Sequence, residues 1–392
     1  MARTGTIAID ARLLLYRRGG ISRYVRCLSD AIAQLLPTAS TDHRRLFRLV
    51  VNRPLPDPPI PVLRVRTPPH YRWERWTLGW ELTRASIRLF HATDFVLPRL
   101  PRFIRRIVTV HDLAFLDAPH ELTPEAQRYY RQTLWSLRQA DRIIAVSHVT
   151  ADRIAIHAPE VVDRVRVIHH GVEPRWFAAH PDPARRLAPL LGAQWLHERS
   201  THHILLAVGT VEPRKRYDLL LDAFLATVPV LPARPLLVIV GQEGWNAGNT
   251  ISRIRELERR GSVRWFSDAD DDLLHALYSV AAALVITSRD EGFCLPALEA
   301  LAAGLPVVAF PVGALPEVLG EAALFVAEQT PRALSRGLET AVLDVSRRRD
   351  VIERGRRRAR TYDWRTTAER TLAVYQEALA DDAERVVGGR PR

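Results

Sequence analysis

The stretch Glu291-Gly-Phe-Cys-Leu-Pro-Ala-Leu-Glu299-Ala-Leu-Ala-Ala-Gly-Leu-Pro-Val-Val-Ala309 decides the fold. It follows an apolar run, Ala281-Ala-Ala-Leu-Val-Ile-Thr-Ser288, which predicts a buried parallel strand. Pro296 is typical of a helix start and Gly304 of a helix end, and a second apolar run comes directly afterwards. The pattern therefore predicts a strand–helix–strand unit with an acidic loop at the carboxyl end of its first strand.

Two carboxylates flank the predicted helix start. Glu291 precedes the helix, and Glu299 lies about one turn inside it. The first-turn amides of Phe293, Cys294 and Leu295 would point between the two carboxylates. A helix amino terminus attracts phosphate, and carboxylates accept hydrogen bonds from hydroxyls. The combination suits a ligand with phosphate in the middle and hydroxyl-bearing rings at both ends, which describes a nucleotide sugar.

A second segment, Ala207-Val-Gly-Thr-Val-Glu-Pro-Arg-Lys-Arg-Tyr-Asp218, points to the same ligand. A strand is predicted to end at Gly209, and a helix to begin with Arg214 and Lys215. Cations at a helix start oppose the helix dipole, and a bound anion would resolve this local conflict. A basic surface turn is the alternative reading of this segment by itself. Together with the Glu291 element, the segment favours a diphosphate site.

Two features of the first half of the chain are less specific. Gly19-Gly20 follows the first predicted strand, and it indicates either a tight turn or a close approach of the backbone to a phosphate or an acceptor. The run Val108-Thr-Val-His-Asp-Leu113 places His111 at the carboxyl end of a strand, where ligands bind in open α/β sheets. A structural histidine that caps the strand is the alternative.

No metal or cofactor is expected beyond the donor substrate itself. Asp268-Ala-Asp270 has the spacing of a metal motif, but it directly precedes a helical pattern, where acidic residues serve as caps. The pairs His169-His170 and His202-His203 lack a cysteine or carboxylate at ligand spacing. Ser147 is likewise predicted to cap a helix rather than to act as a nucleophile.

Size and composition limit the classes of protein. A chain of 392 residues is too long for one ordinary core, so two domains are expected. The net charge of +12 indicates anionic partners without choosing among them. Only two cysteines, no apolar signal core and no long apolar run predict a cytoplasmic protein that does not span a membrane.

Alternating short apolar runs and helical patterns predict α/β architecture throughout. The predicted divisions are a first Rossmann-like domain at 1–172, a linker and domain entry at 173–200, a nucleotide-sugar-binding Rossmann-like domain at 201–362, a final helix at 363–382, and a disordered tail at 383–392.

The segment Tyr71–Arg88 predicts an amphipathic helix. Trp73, Trp76 and Trp80 recur at helical spacing, with arginines elsewhere. A stripe that faces the core is the favoured interpretation. A peripheral contact with an anionic membrane is the alternative.

These motifs resemble the retaining glycosyltransferases of family 4, whose two-Rossmann-domain architecture is called GT-B. The resemblance covers nearly the whole chain. The matching segments are Gly19–Tyr24, Val108–Leu113, Val167–Val172, Val208–Lys215 and Glu291–Glu299. It implies two doubly wound parallel-sheet domains that face a central cleft, with the domain at 1–172 on the acceptor side and the helix at 363–382 crossing back to that domain. It also implies an enzyme that transfers a hexose from a nucleotide sugar to a saccharide or lipid-linked saccharide.

The resemblance also implies residue roles on the donor side. Glu291 would contact the donor sugar and Glu299 the ribose hydroxyls. Arg214 and Lys215 would neutralise the diphosphate leaving group without a metal. Donor-binding backbone is implied at Gly209, Gly292, Phe293, Cys294 and Leu295.

On the acceptor side, His111 would reach the sugar from the opposite domain, and the Gly20 loop would border the acceptor and the phosphates. The segment His169-His-Gly171 departs mildly from the family pattern but keeps the glycine. The segments Ile9–Arg12 and His111–Phe115 resemble bacterial mannosyltransferases for surface polysaccharide, which favours GDP-mannose as donor. The rivals are a nucleotide-sugar epimerase, a phosphorylase, or a basic module that binds polyanions or membranes. No nucleic-acid partner is expected.

Overall fold

The computed structural model describes residues 6–16, 19–36, 46–192, 202–231 and 234–388. These residues divide into two compact units. Unit 1 comprises Met1–Pro119, Pro124–Gly171 and Asp363–Arg392. Unit 2 comprises His120–Thr123 and Val172–Tyr362. The chain thus leaves unit 1 after Gly171 and returns to it at Asp363.

Unit 1 is built on a seven-stranded parallel sheet in the order β3-β2-β1-β4-β5-β6-β7. Its strands are β1 Thr6–Asp10, β2 Phe47–Val51, β3 Val62–Arg64, β4 Ile87–Ala92, β5 Arg105–Val110, β6 Arg142–Ala145 and β7 Val165–Val167. The central strands are buried nearly throughout, as expected when helices cover both faces of a parallel sheet. The helices between the strands are α1 Gly20–Leu35, α2 Glu74–Arg84, α3 Ala114–Asp117, α4 Pro124–Tyr130, α5 Gln132–Gln139 and α6 His148–His157.

Unit 2 is built on a six-stranded parallel sheet in the order β10-β9-β8-β11-β12-β13. Its strands are β8 His202–Val208, β9 Arg234–Val240, β10 Val263–Phe266, β11 Ala283–Ile286, β12 Val307–Ala309 and β13 Leu324–Phe325. Its helices are α7 Pro183–Leu191, α8 Tyr217–Thr227, α9 Gly248–Arg259, α10 Asp271–Val280, α11 Leu295–Ala303, α12 Leu315–Leu319, α13 Pro331–Leu343 and α14 Val345–Ala359. The predicted pair of doubly wound parallel sheets is confirmed.

The strand order fixes where a ligand can bind in each unit. The order reverses between β1 and β4 in unit 1 and between β8 and β11 in unit 2. At such a switch point the connections leave in opposite directions, which opens a crevice outside the carboxyl ends of the strands. The functional residues should therefore follow these four strands.

The region predicted as a linker, 173–200, is structured as part of unit 2 as far as Gly192. It holds a 3-10 turn at Pro174–Phe177 and helix α7. Trp176 is fully buried and lies edge-on to Tyr278 at 5.4 Å between ring centroids. Proline content misled the prediction here, because proline is also favoured in the first turn of a helix. Residues 193–200 lie outside the described part of the chain.

The last helix, α15 Trp364–Gly388, belongs to unit 1. The Tyr375 hydroxyl lies 2.6 Å from Nδ1 of the buried His91, whose Nε2 lies 2.7 Å from the Thr109 hydroxyl. Burial, with a smaller contribution from His111, lowers the pKa of His91 to about 3, so this ring is neutral. The helix extends past the predicted end at residue 382, so the prediction of a disordered tail is wrong for 383–388. Residues 389–392 lie outside the described chain.

The prediction that the tryptophans of α2 face the core is wrong. Trp73, Trp76 and Trp80 are 51%, 54% and 62% exposed. The core side of the helix is formed instead by Leu78 and Leu82. Apolar residues occupy two faces of this helix, and the leucine stripe is the one that packs inward.

Candidate active site

Nine of the residues predicted to bind the donor lie in unit 2, on the segments that follow β8 and β11. The two strands are neighbours in the sheet and flank its switch point. Gly209, Arg214 and Lys215 follow β8, whereas Glu291, Gly292, Phe293, Cys294, Leu295 and Glu299 follow β11. The other two predicted residues, Gly20 and His111, lie in unit 1.

The segment after β8 is shaped by Gly209. This glycine has a φ of +151°, and its carbonyl accepts a hydrogen bond of 2.8 Å from the Tyr217 hydroxyl. A Cβ at this position would lie 3.4 Å from Cε of Lys215. Because Gly209 has no side chain, the Lys215 side chain can pack closely against the end of the strand.

Arg214 and Lys215 belong to a 3-10 turn, Pro213–Lys215, rather than to the first turn of a helix. Arg216 is left-handed at φ 52°, and α8 begins only at Tyr217. The predicted helix start was thus two to three residues early. The turn is anchored from β11, because the Thr287 hydroxyl donates to the Lys215 carbonyl at 2.6 Å.

The centre of the site is a buried ion pair. Nζ of Lys215 lies 2.5 Å from Oε1 of Glu291, and the Ser288 hydroxyl donates to the same oxygen at 2.5 Å. Nη1 of Arg214 lies 3.5 Å from the other oxygen, Oε2. The lysine and glutamate side chains are 16% and 7% exposed. The fold therefore brings the two cations to this carboxylate, although Lys215 and Glu291 are 76 residues apart in the sequence.

Arg214 also binds a second carboxylate. Its Nη2 lies 3.0 Å from Oε1 of Glu212, and its Nη1 donates to the Asp290 carbonyl at 2.8 Å. Glu212 is 7% exposed. The two positive charges of Arg214 and Lys215 are thus matched by the two negative charges of Glu212 and Glu291.

Glu291 is ionised at neutral pH. Burial acts to raise its pKa, but Lys215, then Arg214, and the hydrogen bonds from Lys215 and Ser288 outweigh burial, so its pKa lies below the ordinary value. A carboxylate held in this form can accept hydrogen bonds from sugar hydroxyls.

The acidic loop after β11 is fixed by its own backbone. The Glu291 carbonyl accepts the Ala314 amide at 2.8 Å. Gly313 has a φ of +52°, and a Cβ there would lie 2.4 Å from that carbonyl oxygen. Only glycine fits this position, and its close contact with the Glu291 carbonyl helps to fix the backbone of Glu291.

Cys294 turns the chain into helix α11. It is the residue before the helix and is left-handed at φ 70°. Burial, with a contribution from Glu291, raises the pKa of its thiol to about 12, so it is not a thiolate nucleophile. Phe293 is buried, and its ring lies edge-on to Tyr362 at 5.9 Å. The Phe293 side chain is committed to packing, so a ligand contact at this residue would come from its backbone.

Glu299 lies inside α11 and is 3% exposed. Its Oε2 accepts a hydrogen bond of 3.0 Å from the Tyr278 hydroxyl, which comes from α10. This partner fixes the direction of the carboxylate. Asp270, from the rejected metal motif, caps α10 by accepting the Leu273 amide at 2.7 Å.

In unit 1, His111 follows β5 and is half-buried. Its Nε2 lies 2.9 Å from the Thr93 carbonyl, which can only accept, so Nε2 carries the hydrogen. Burial lowers the pKa of His111 despite this bond, so the ring is neutral near pH 7 and Nδ1 is its acceptor atom. The ring packs edge-on to Tyr24 at 4.9 Å.

Gly20 is the first residue of α1, directly after the capping Gly19. Both glycines are exposed, and a Cβ at either would meet nothing within 4 Å. Gly19 is extended at φ 172°. The backbone conformation and the space around these two positions therefore do not require glycine.

A buried charge network at the switch point of unit 1 was not predicted from the sequence. Arg12 lies 2.6 Å from carboxylate oxygens of both Asp10 and Glu74. Beside it, Asp94 lies 3.3 Å from Nε2 of His70, and its Oδ1 is buried without a hydrogen-bond partner among the described residues. Position at or just after the end of a strand is the signal that could have identified Asp10 and Asp94, as it could Ser288 in unit 2.

Family comparisons agree with this layout. The family described as Glycosyltransferase Family 4 matches residues 18–176, and Glycosyl transferases group 1 matches residues 195–358. D-inositol 3-phosphate glycosyltransferase of Corynebacterium glutamicum (strain R) is 30% identical over 288 residues, which span 70% of this chain and 67% of that protein. The chain belongs to the family 4 glycosyltransferases.

Further relatives of this glycosyltransferase include mannosyltransferases. O-antigen chain mannosyltransferase B of Escherichia coli is 28% identical over 299 residues, 76% of each chain. MMP alpha-(1->4)-mannosyltransferase of Mycolicibacterium hassiacum is 28% identical over 290 residues, 70% of this chain and 66% of that protein.

Solved structures show the same fold. WaaG, a glycosyltransferase involved in lipopolysaccharide biosynthesis, has a TM-score of 0.71 at 18% identity and covers 93% of this chain and 98% of its own. Anabaena HepE in complex with UDP-glucose has a TM-score of 0.72 at 16% identity, over 95% and 100% of the two chains. The glycosyltransferase thus has the GT-B architecture. Among its described residues, no helix is both long and apolar enough to cross a bilayer.

Proposed function

We propose that this glycosyltransferase moves a hexose from a nucleotide diphosphate sugar to a saccharide or lipid-linked saccharide, with retention of anomeric configuration and without a metal. The observation that supports it is the Lys215–Glu291 ion pair, 2.5 Å long, at the switch point of unit 2. A cation for phosphate and a carboxylate for hydroxyls are held there side by side, at the amino end of α11.

The charge that develops in the reaction explains why two cations lie at this position. Breaking the bond between the sugar C1 and the diphosphate oxygen leaves positive charge on the ring and negative charge on the diphosphate. Lys215 and Arg214 stabilise the departing diphosphate, since each can exchange part of its contact with carboxylate for contact with phosphate. The chain supplies its own cations at this position, which is why we expect no metal requirement.

The anionic Glu291 orients the donor sugar through its hydroxyls. Arg214 contacts the carboxylates of both Glu212 and Glu291, and Lys215 also pairs with Glu291, so we assign neither of them the attack on C1 that one acid makes in retaining hydrolases. The acceptor oxygen would therefore attack C1 from the face that the diphosphate leaves, and the departing phosphate oxygen would take its proton. Glu299 would bind the ribose hydroxyls.

The carboxyl edge of the unit 1 sheet would bind the acceptor. Asp94 offers a buried carboxylate oxygen without a partner, which suits an acceptor hydroxyl. His111 offers the Nδ1 acceptor of a neutral ring. The exposed backbone at Gly20 allows close approach of a ligand at the same edge.

Mannose is the proposed sugar and GDP-mannose the proposed donor. Two of the relatives named above are mannosyltransferases, and one of them acts on O-antigen chains by its name. A surface-polysaccharide acceptor would follow from the same comparison.

The test incubates the purified protein with radiolabelled GDP-mannose, UDP-glucose and ADP-glucose and with mannosylated acceptors, in the presence of EDTA. We expect transfer from GDP-mannose and an α-linked product by nuclear magnetic resonance. Glu291→Gln should abolish transfer, whereas the control Glu353→Gln, a 70% exposed glutamate on α14, should not change it. Inversion at C1, a strict metal requirement, or interconversion of the donor without an acceptor would each contradict the proposal.

A further inference from the structure

Helix α2 presents an aromatic and cationic face to solvent. The tryptophan face consists of Trp73, Trp76 and Trp80 together with Arg72, Arg84 and Arg99. The three tryptophans follow each other at spacings of three and four residues, so they form one stripe along the outer side of the helix. A stripe of half-exposed tryptophans is unusual on a protein surface that meets only water.

Each tryptophan has an arginine over its ring. The guanidinium carbon lies 5.2 Å from the Trp73 ring centroid for Arg72, 4.7 Å from Trp80 for Arg84, and 3.9 Å from Trp76 for Arg99. Arg99 reaches the helix from the loop after β4, whose backbone packs on Gly79, where a Cβ would lie 2.1 Å from the Arg99 carbonyl oxygen. The arrangement is therefore held by the fold of unit 1 and not by flexible side chains alone.

The acids of this helix are turned away from the face. Glu74 is buried and paired with Arg12. The Glu81 carboxylate accepts the amides of Arg66 and Thr67, at 2.7 and 3.2 Å. The outer surface of α2 consequently shows positive charge without a compensating carboxylate from the helix itself.

The segment that contains α2 is basic. Residues 62–106 contain ten arginines and three acidic residues, and of these arginines Arg105 and Arg106 are paired with Asp141. Phe103, in the same loop as Arg99, is 61% exposed. Positive charge and exposed aromatic rings coincide in one part of unit 1.

We propose that the tryptophan face docks this protein on an anionic membrane surface. Tryptophan rings favour the zone between lipid headgroups and acyl chains, and arginines bind the phosphates of anionic lipids. A convex helix stripe also matches a flat bilayer better than a groove-bound strand of nucleic acid, and one face of each ring is already covered by a guanidinium group. This proposal goes beyond the transfer reaction, and it holds or fails without reference to it.

The experiment measures partition of the full-length protein onto vesicles by sedimentation. Vesicles of phosphatidylcholine and phosphatidylglycerol in equal amounts should bind it, and vesicles of phosphatidylcholine alone should bind it weakly. Quenching of tryptophan fluorescence by brominated acyl chains should accompany binding.

Two variants test the face itself. Trp76→Ala/Trp80→Ala should lower the partition coefficient about tenfold, because two half-exposed rings would no longer be withdrawn from water. Arg72→Gln/Arg84→Gln should lower it by a similar factor on anionic vesicles only. All four side chains are exposed, so unchanged thermal unfolding should show that both variants are folded.

Matched controls lie on other exposed surfaces. Arg347→Gln/Arg349→Gln removes the same charge from helix α14, and Ile156→Ala removes an apolar side chain that is 75% exposed. Neither should change binding. Equal losses in the α14 variant would show general electrostatic attraction and overturn the proposal. Binding to single-stranded RNA that competes fully with the vesicles, or unaltered partition of the tryptophan variant, would also overturn it.

Discussion

Removing Lys215 should destabilise the protein and separate the electrostatic role of this side chain from its role in transfer. The amine lies 2.5 Å from Oε1 of Glu291, and both side chains are largely buried. Loss of one partner of a buried ion pair costs about 3–5 kcal/mol, since the other charge remains without compensation. Arg214, at 3.5 Å from Oε2, still compensates part of the charge, so we expect about 3 kcal/mol for Lys215→Met.

The loss should depend on pH in a defined direction. The pKa of Glu291 is lowered in the folded protein, so its ionisation contributes stability above the unfolded pKa, and that stability is lost as the pH falls. Without Lys215 the pKa of Glu291 should rise, because burial then meets less opposition. The variant should therefore be most destabilised near pH 7 and differ less from the parent protein near pH 4.

A double variant provides the decisive comparison. Replacing both charges, in Lys215→Met/Glu291→Gln, should restore stability to within about 1 kcal/mol of the parent, since a neutral buried pair leaves no uncompensated charge. Transfer should remain absent in both variants. Free energies of unfolding from urea titrations followed by circular dichroism measure the first quantity, and labelled product the second. A double variant as unstable as the sum of its single variants, or a loss that is the same at pH 7 and pH 4, would refute the reasoning.

Two further substitutions test the frame of each site. Gly313→Ala should lower the free energy of unfolding by about 2 kcal/mol or more, because the φ of this residue is +52° and the new Cβ would lie 2.4 Å from the Glu291 carbonyl oxygen. A melting temperature equal to that of the parent protein would contradict this expectation. Arg12→Met should cost about 3–5 kcal/mol at pH 7 by leaving Asp10 and Glu74 buried without their cation, and less at acid pH, since burial already raises the pKa of Glu74. Urea titrations at both pH values measure the second effect, and an equal loss at both would count against it.

The fold could be predicted well from the sequence. The strands of a parallel sheet are buried on both faces, so each one is a continuous apolar run in the sequence. Strand ends then placed Lys215, Glu291 and His111 at the carboxyl edges of their sheets. The helix caps at Ser147 and Asp270 were also predicted correctly, since capping depends on residues three positions apart.

What the sequence did not reveal depends on packing between distant segments. The hydrogen bond from Thr287 to the Lys215 carbonyl and the bond from Tyr278 to Glu299 need the positions of whole elements. The same limit explains the error at Trp76. Its helical spacing was predicted correctly, but the helix has a tryptophan face and a leucine face, and only the leucine face packs on the core. Periodicity alone cannot choose between such faces.

The return of the chain to unit 1 at Asp363 has a consequence for biosynthesis. All seven strands of the first sheet leave the ribosome long before α15, whose Tyr375 hydroxyl binds the buried His91. The intervening 191 residues, Val172–Tyr362, form one continuous stretch and can complete their own sheet while the nascent first unit still lacks its last helix. The earliest-made part of this enzyme is thus the last to be finished, because its sheet must wait for α15 until unit 2 has been synthesised.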